Sequence, residues 1–105
     1  LGVDVFAALT SGDENVAVGT SSLDANTTGS FLTAVGYQSL SGNTTANNNT
    51  GLGHKALFTT TTGADNTAVG KDSLRLTTTG ASNTAVGKDS LRANTTGTLN
   101  TAIVT

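Results

Sequence analysis

His54 is the one histidine of the chain and cysteine is absent, so any acid–base, nucleophilic or metal chemistry would rest on His54, seven carboxylates and many hydroxyls. A histidine that moves protons or binds a metal needs a second ligand or an orienting carboxylate beside it. Position 54 offers neither. Counted in steps of 17 residues, it falls in a column with Thr20, Tyr37, Lys71 and Lys88, types that read as a solvent-facing wall. Catalysis requires side chains that converge, whereas a repeat spreads each type into a ladder. No triad, paired acid and base or phosphate loop is present, so the chain does not read as an enzyme and no cofactor or metal is expected. Tyr37, His54 and Lys71 stand instead as candidates for contact with a partner surface.

The charged residues obey the same spacing. Lys71 and Lys88, Asp72 and Asp89, and Arg75 and Arg92 are each 17 apart and would stack like on like unless neighbouring columns compensate. Asp4, Asp13, Glu14 and Asp24 fall in residues 1–52 with no basic residue, while five basic and three acidic residues follow. So few bases, in a chain of net charge −2, argue against nucleic acid as a partner. The longest apolar runs, such as Val5 to Leu9, are far short of the ~20 residues that cross a bilayer. Hydroxyls gather at one corner: positions 26 and 28, 43 and 45, 60 and 62, 77 and 79, and 94 and 96 hold Asn or Thr followed by Thr. A flat strand there would display a two-column array able to order water or ice, in a monomeric solenoid. Asn26, Asn43, Asn48 and Asn94 also open Asn-x-Thr sequons, for which turn chemistry is the simpler account at three of the four.

Behind these columns lies the repeat itself. Gly2, Gly19, Gly36, Gly53, Gly70 and Gly87 are separated by 17, and Gly12, Gly29, Gly63, Gly80 and Gly97 form a second series with Ala46 in its gap. Eleven of 13 glycines therefore follow one period, which marks a solenoid. The coils are 15–31, 32–48, 49–65, 66–82 and 83–99, with partial coils 1–14 and 100–105. Asn15, Asn49, Asn66, Asn83 and Asn100 open the units, with Leu32 as the exception. Because the chain opens at Leu1, inside a repeat, it reads as an excerpt of a longer fibre polypeptide.

Seventeen residues are too few for a helical hairpin, and Thr, Gly and β-branched residues favour short strands and turns. The expected fold is all-β, a parallel β-solenoid with two short strands per coil. Gly19, Gly36, Gly53, Gly70 and Gly87 turn one corner through positive φ, and Gly29, Gly63, Gly80 and Gly97 turn the other. Adjacent strand residues point to opposite faces, so the Ala and Val columns of Asn-Thr-Ala-Val-Gly need cover on both sides. Val18, Val35, Val69 and Val86 are assigned to the coil core with Leu23, Leu40, Leu57, Leu74 and Leu91. Ala17, Ala34, Ala68 and Ala85 are assigned to a subunit interface, and a cyclic homotrimer is the expected symmetry. The Lys-Asp-Ser-Leu-Arg segment reads as an outer-wall strand with its Leu turned inward.

The string Ala-Val-Gly-x-x-Ser, at Ala17 to Ser22, Ala34 to Ser39, Ala68 to Ser73 and Ala85 to Ser90, resembles the coil motif of trimeric autotransporter adhesin heads. The whole unit, with its Asn-Thr-Ala-Val-Gly opening and Asn-Thr-Thr-Gly corner, is similar to repeats in bacteriophage tail-fibre proteins, although its coil is longer than that of the adhesin heads. This resemblance implies a left-handed β-roll, three associated copies, an extracellular or virion-surface location, and a role in attachment to a host cell-surface receptor such as a glycan.

Overall fold

The computed structural model describes residues 1–104 and contains six three-residue strands: β1 (Val16–Val18), β2 (Thr33–Val35), β3 (Thr50–Leu52), β4 (Thr67–Val69), β5 (Thr84–Val86) and β6 (Thr101–Ile103). Thr105, the last residue of the partial coil 100–105, lies outside the described residues. All six strands form one parallel sheet in the order β1-β2-β3-β4-β5-β6, so each strand pairs only with its sequence neighbours. Register follows the repeat without a slip, with Ala68 opposite Ala85 and Val69 opposite Val86. The chain is therefore a parallel β-solenoid, elongated to 33 × 21 × 18 Å.

Each coil contributes one strand, not two. The Lys-Asp-Ser-Leu-Arg wall is a run of tight turns in which the second and fourth residues after the corner glycine adopt left-handed φ, as at Asp72 (58°) and Leu74 (49°). The physical reason lies along the axis. Asp72 N–H donates to His54 O in the coil before, at 2.9 Å, and Leu74 N–H donates to Ser90 O in the coil after, at 3.0 Å. A third left-handed position, occupied by Phe31, Asn48, Asp65, Ser82 and Leu99, repeats this before the strand, where Asp65 N–H donates to Asn47 O at 3.2 Å. Backbone groups that a β-ladder would satisfy are satisfied here by turns whose φ aims each N–H at an adjacent coil, before or after.

The strand faces the opposite way from the expectation. Ala34, Ala68 and Ala85 are fully buried inside the coil, and Val18, Val35, Val69 and Val86 point outward with Leu52 and Ile103. The Val column is thus not core, and the Ala column cannot line a subunit interface. Inside a coil this narrow, the Leu column (Leu23, Leu40, Leu57, Leu74) already occupies the middle, and what remains opposite the strand accommodates a methyl group. Leu91, assigned to the same column, is only partly buried.

Half of the interior is polar. Asn49, Asn66 and Asn83 are fully buried and form a ladder. Asn66 Nδ2 donates to Gly80 O at 2.9 Å, and Asn83 Nδ2 donates to Gly97 O at 2.7 Å. Each Oδ1 then accepts the backbone N–H of the asparagine one coil on, Asn66 to Asn49 at 2.9 Å and Asn83 to Asn66 at 3.0 Å. The serine of Ala-Val-Gly-x-x-Ser is also internal: Ser73 Oγ donates to Ala85 O and Ser90 Oγ to Ala102 O, both at 3.2 Å. These asparagine and serine side chains are tolerated inside because the repeat supplies each with a partner.

The two glycine series answer different demands. Gly70 has φ of +128°, and a Cβ there would lie 2.6 Å from the carbonyl carbon of Gly87, the corner of the next coil. The second series does not use positive φ. At Gly63 or Gly80 a Cβ would collide with the carbonyl oxygen of the next glycine in the series, so close backbone approach is what selects glycine there.

Candidate functional site

Two surfaces remain after the interior is accounted for. The first is the outer wall. Its exposed column holds Thr20, Tyr37, His54, Lys71 and Lys88, and the rings of Tyr37 and His54 stack at 5.2 Å between centroids, 28° from parallel. Stacking across one coil step brings together two of the three residues expected to contact a partner; Lys71 continues the column. Beside them, Lys55 Nζ lies 5.4 Å from the Phe58 ring centroid, and the Arg75 guanidinium lies 5.8 Å from it. Phe58 is therefore within cation–π reach of two cations. Arg75 Nε is 3.6 Å from Asp72 Oδ1, and in the next coil Arg92 Nε is 3.8 Å from Asp89 Oδ1. These pairs across columns offset the like-charge stacking along them. Asp72 is largely buried under Arg75, contrary to a fully solvated wall, whereas Lys88 and Asp89 are open to water.

All five Lys and Arg residues of the chain sit on this one wall, within three successive coils. Toward the other end its composition changes: Asp24 occupies the column of Arg75 and Arg92, and Ser41 Oγ donates to Asp24 Oδ1 at 2.7 Å. Among the described residues, no three His, Cys, Asp or Glu side chains converge as a metal-binding group.

The second surface is the outward face of the sheet. Val16 and Val18, Val35, Leu52, Val69, Val86 and Ile103 form an aliphatic stripe along the axis, with Thr33, Thr50, Thr67 and Thr84 in the column beside it. Val16, Leu52 and Ile103 are 53, 43 and 73% exposed. Both sides of this strand are apolar, as expected, but the Ala column faces inward and the Val column outward, the reverse of the expected assignment. The distinguishing signal was side-chain size: six stacked small residues fit inside a coil already filled by Leu.

The Thr-rich corner does not form the hydroxyl array. Its first column is internal, with Asn26, Asn43, Thr60 and Thr77 fully buried, and no strand runs there. The intervening threonines spend their hydroxyls within the stack, Thr27 Oγ1 donating to Thr44 O at 3.1 Å and Thr44 Oγ1 to Thr61 O at 3.3 Å. Burial also encloses the side chains of the sequons at Asn26 and Asn43. Neither a protein-family model, nor a curated protein, nor a solved structure matches this chain.

Proposed function

We propose that this chain is a structural and adhesive segment of a homotrimeric fibre, in which three left-handed coils pack their Thr-x-Val sheet faces around a common axis. The observation that carries the reading is the uninterrupted aliphatic stripe on the outward face of β1–β6. A parallel sheet normally has both faces covered, and the inner face here is covered only by its own coil. Burial of a stripe repeated in every coil adds apolar contact in proportion to length, which suits a shaft. With that face turned inward, the Tyr37, His54 and Lys71 wall lies outside, free to meet a host surface. This reading places the segment on a virion or an extracellular fibre and makes its work attachment without catalysis, in keeping with the resemblance to tail-fibre repeats and adhesin heads.

Light scattering on the purified chain tests it directly: the mass should be three times the 10.4 kDa of one chain. Val69→Asp with Val86→Asp should reduce the mass to one chain while leaving the solenoid folded, because both side chains point away from the core. A monomeric parent chain, or an unchanged mass in the double variant, removes the trimer.

A further inference from the structure

We infer that the outer wall between Tyr37 and Arg92 is a binding track for a carboxylate-bearing polysaccharide that lies along the solenoid axis. The inference deepens the attachment half of the reading above and rests on it, but it does not need the trimer.

Three features of the wall point to this ligand. The basic residues of the chain are confined to it, in the order Lys55, then Lys71 and Arg75, then Lys88 and Arg92, one coil after another. Lys71 and Lys88 are exposed and a single coil apart, so their ammonium groups repeat at about one strand spacing, ~4.8 Å. An extended glycan advances by a similar distance per sugar, so successive sugars meet successive coils in the same environment. Acceptors are interleaved with these donors. The Asp89 carboxylate is exposed between Lys88 and Arg92, where sugar hydroxyls can donate to it while sugar carboxylates accept from the ammonium groups. At one end of the track, the Tyr37 and His54 stack presents exposed rings with a phenol and an imidazole, the mix of apolar face and hydrogen-bonding edge that sugars require.

A nucleic acid fits the same wall poorly. Its phosphodiester backbone offers only acceptors, so unlike a sugar with free hydroxyls it has nothing to donate to the exposed Asp89 carboxylate that lies between the cations. Beyond Tyr37 the wall turns acidic at Asp24, which limits an anionic chain to the coils that hold the bases.

Titration calorimetry with oligogalacturonate, neutral dextran fragments and single-stranded DNA, at low and at physiological salt, tests the assignment. The parent chain should bind oligogalacturonate saturably and leave dextran unbound. Lys71→Glu with Lys88→Glu should weaken binding by about tenfold or more, and Tyr37→Ala should weaken it by a factor that persists at the higher salt. Thr20→Lys, which extends the ammonium column on the far side of Tyr37, should tighten binding of the longer oligomers several-fold, a gain that misfolding cannot imitate. No saturable binding by the parent, equal binding by the charge-reversed variant, or tighter binding of DNA that ignores Tyr37→Ala would each overturn the proposal. Loss of polysaccharide binding with a trimeric mass rejects this track alone; retained binding by a monomer rejects the trimer alone.

Discussion

At the scale of single residues, the solenoid is organised by side chains that satisfy backbone atoms of a neighbouring coil, and by φ angles that point backbone donors at it. The third left-handed column shows how residue type and conformation interact. Asn48 and Asp65, both at φ 61°, are types that tolerate this region, and their side chains join one coil to the next, Asn48 Nδ2 donating to Asp65 Oδ1 at 3.1 Å. Phe31 holds φ 60° in the same column and is 55% exposed, so it carries the conformational strain while burying less than half of its surface. Phe31→Asn should therefore stabilise the chain by about 1 kcal/mol, with Nδ2 placed to reach Asn48. Urea unfolding monitored by circular dichroism reads this as a higher midpoint; a lower midpoint would mean that the ring makes a contact worth more than the strain.

At the scale of the element, the corner is more exacting than the strand. β3 accepts Gly51 in the alanine column, where Ser39 Oγ moves into the space of the missing methyl and donates to Gly51 O at 2.8 Å. Within the stack the glycine column has no such latitude, because φ of +128° at Gly70 and the Gly87 carbonyl both exclude a Cβ; Val104, which departs from glycine in this column, belongs to the last coil. Gly70→Val should cost about 3 kcal/mol or more, and Gly70→Ala nearly as much, since the first carbon already collides. Guanidinium melts of the two variants decide it, and an alanine variant within about 0.5 kcal/mol of the parent would show that the corner re-forms differently. This element also shows how far the sequence could be read. The 17-residue period, the corner glycines and the inward Leu column were legible because each is a repeated type with one steric meaning. Alternation along Thr-Ala-Val was legible too, but a period of two defines two faces without naming the inner one. The expected second strand is replaced by turns because Asp72, Leu74 and their equivalents take left-handed φ, which a Leu column does nothing to announce. The asparagine ladder was visible as a column, and its role would have followed from the constant 14-residue spacing between Asn66 and Gly80 or Asn83 and Gly97. On the candidate wall, spacing placed Tyr37, His54 and Lys71 in one column, while the pairing of Arg75 with Asp72 across columns needed coordinates.

For the molecule as a whole, stability in a solenoid is close to a sum over interfaces between adjacent coils, so a run of weaker interfaces becomes a place to open. Residues 32–65 concentrate the departures from the repeat. Leu32 replaces an asparagine and removes one rung of the buried ladder, so Ala46 O keeps the corner bond from Asn43 Nδ2 at 3.1 Å but lacks the second donor that Asn83 gives Gly97 O beside Asn94. Gly51 adds backbone freedom to β3, and Ala56 stands where serine would donate to the carbonyl of Ala68, as Ser73 does to Ala85. The coils from 66 to 99 keep every one of these groups. Native-state hydrogen exchange should therefore find the amides that bridge the irregular coils, Thr33 to Asn49 O and Gly53 to Val35 O, less protected than Thr67 to Asn83 O and Gly87 to Val69 O. Gly51→Ala with Ala56→Ser should slow exchange at Thr50 and Gly53 by about tenfold, from roughly 0.5–1 kcal/mol for each repaired position, and change Gly87 much less. Ser39 Oγ, which a methyl at position 51 would displace, can move to the position its equivalent Ser73 takes. Uniform protection along the axis, raised equally everywhere by the double change, would mean that the coils open together, and that the irregular pair is no seam at all.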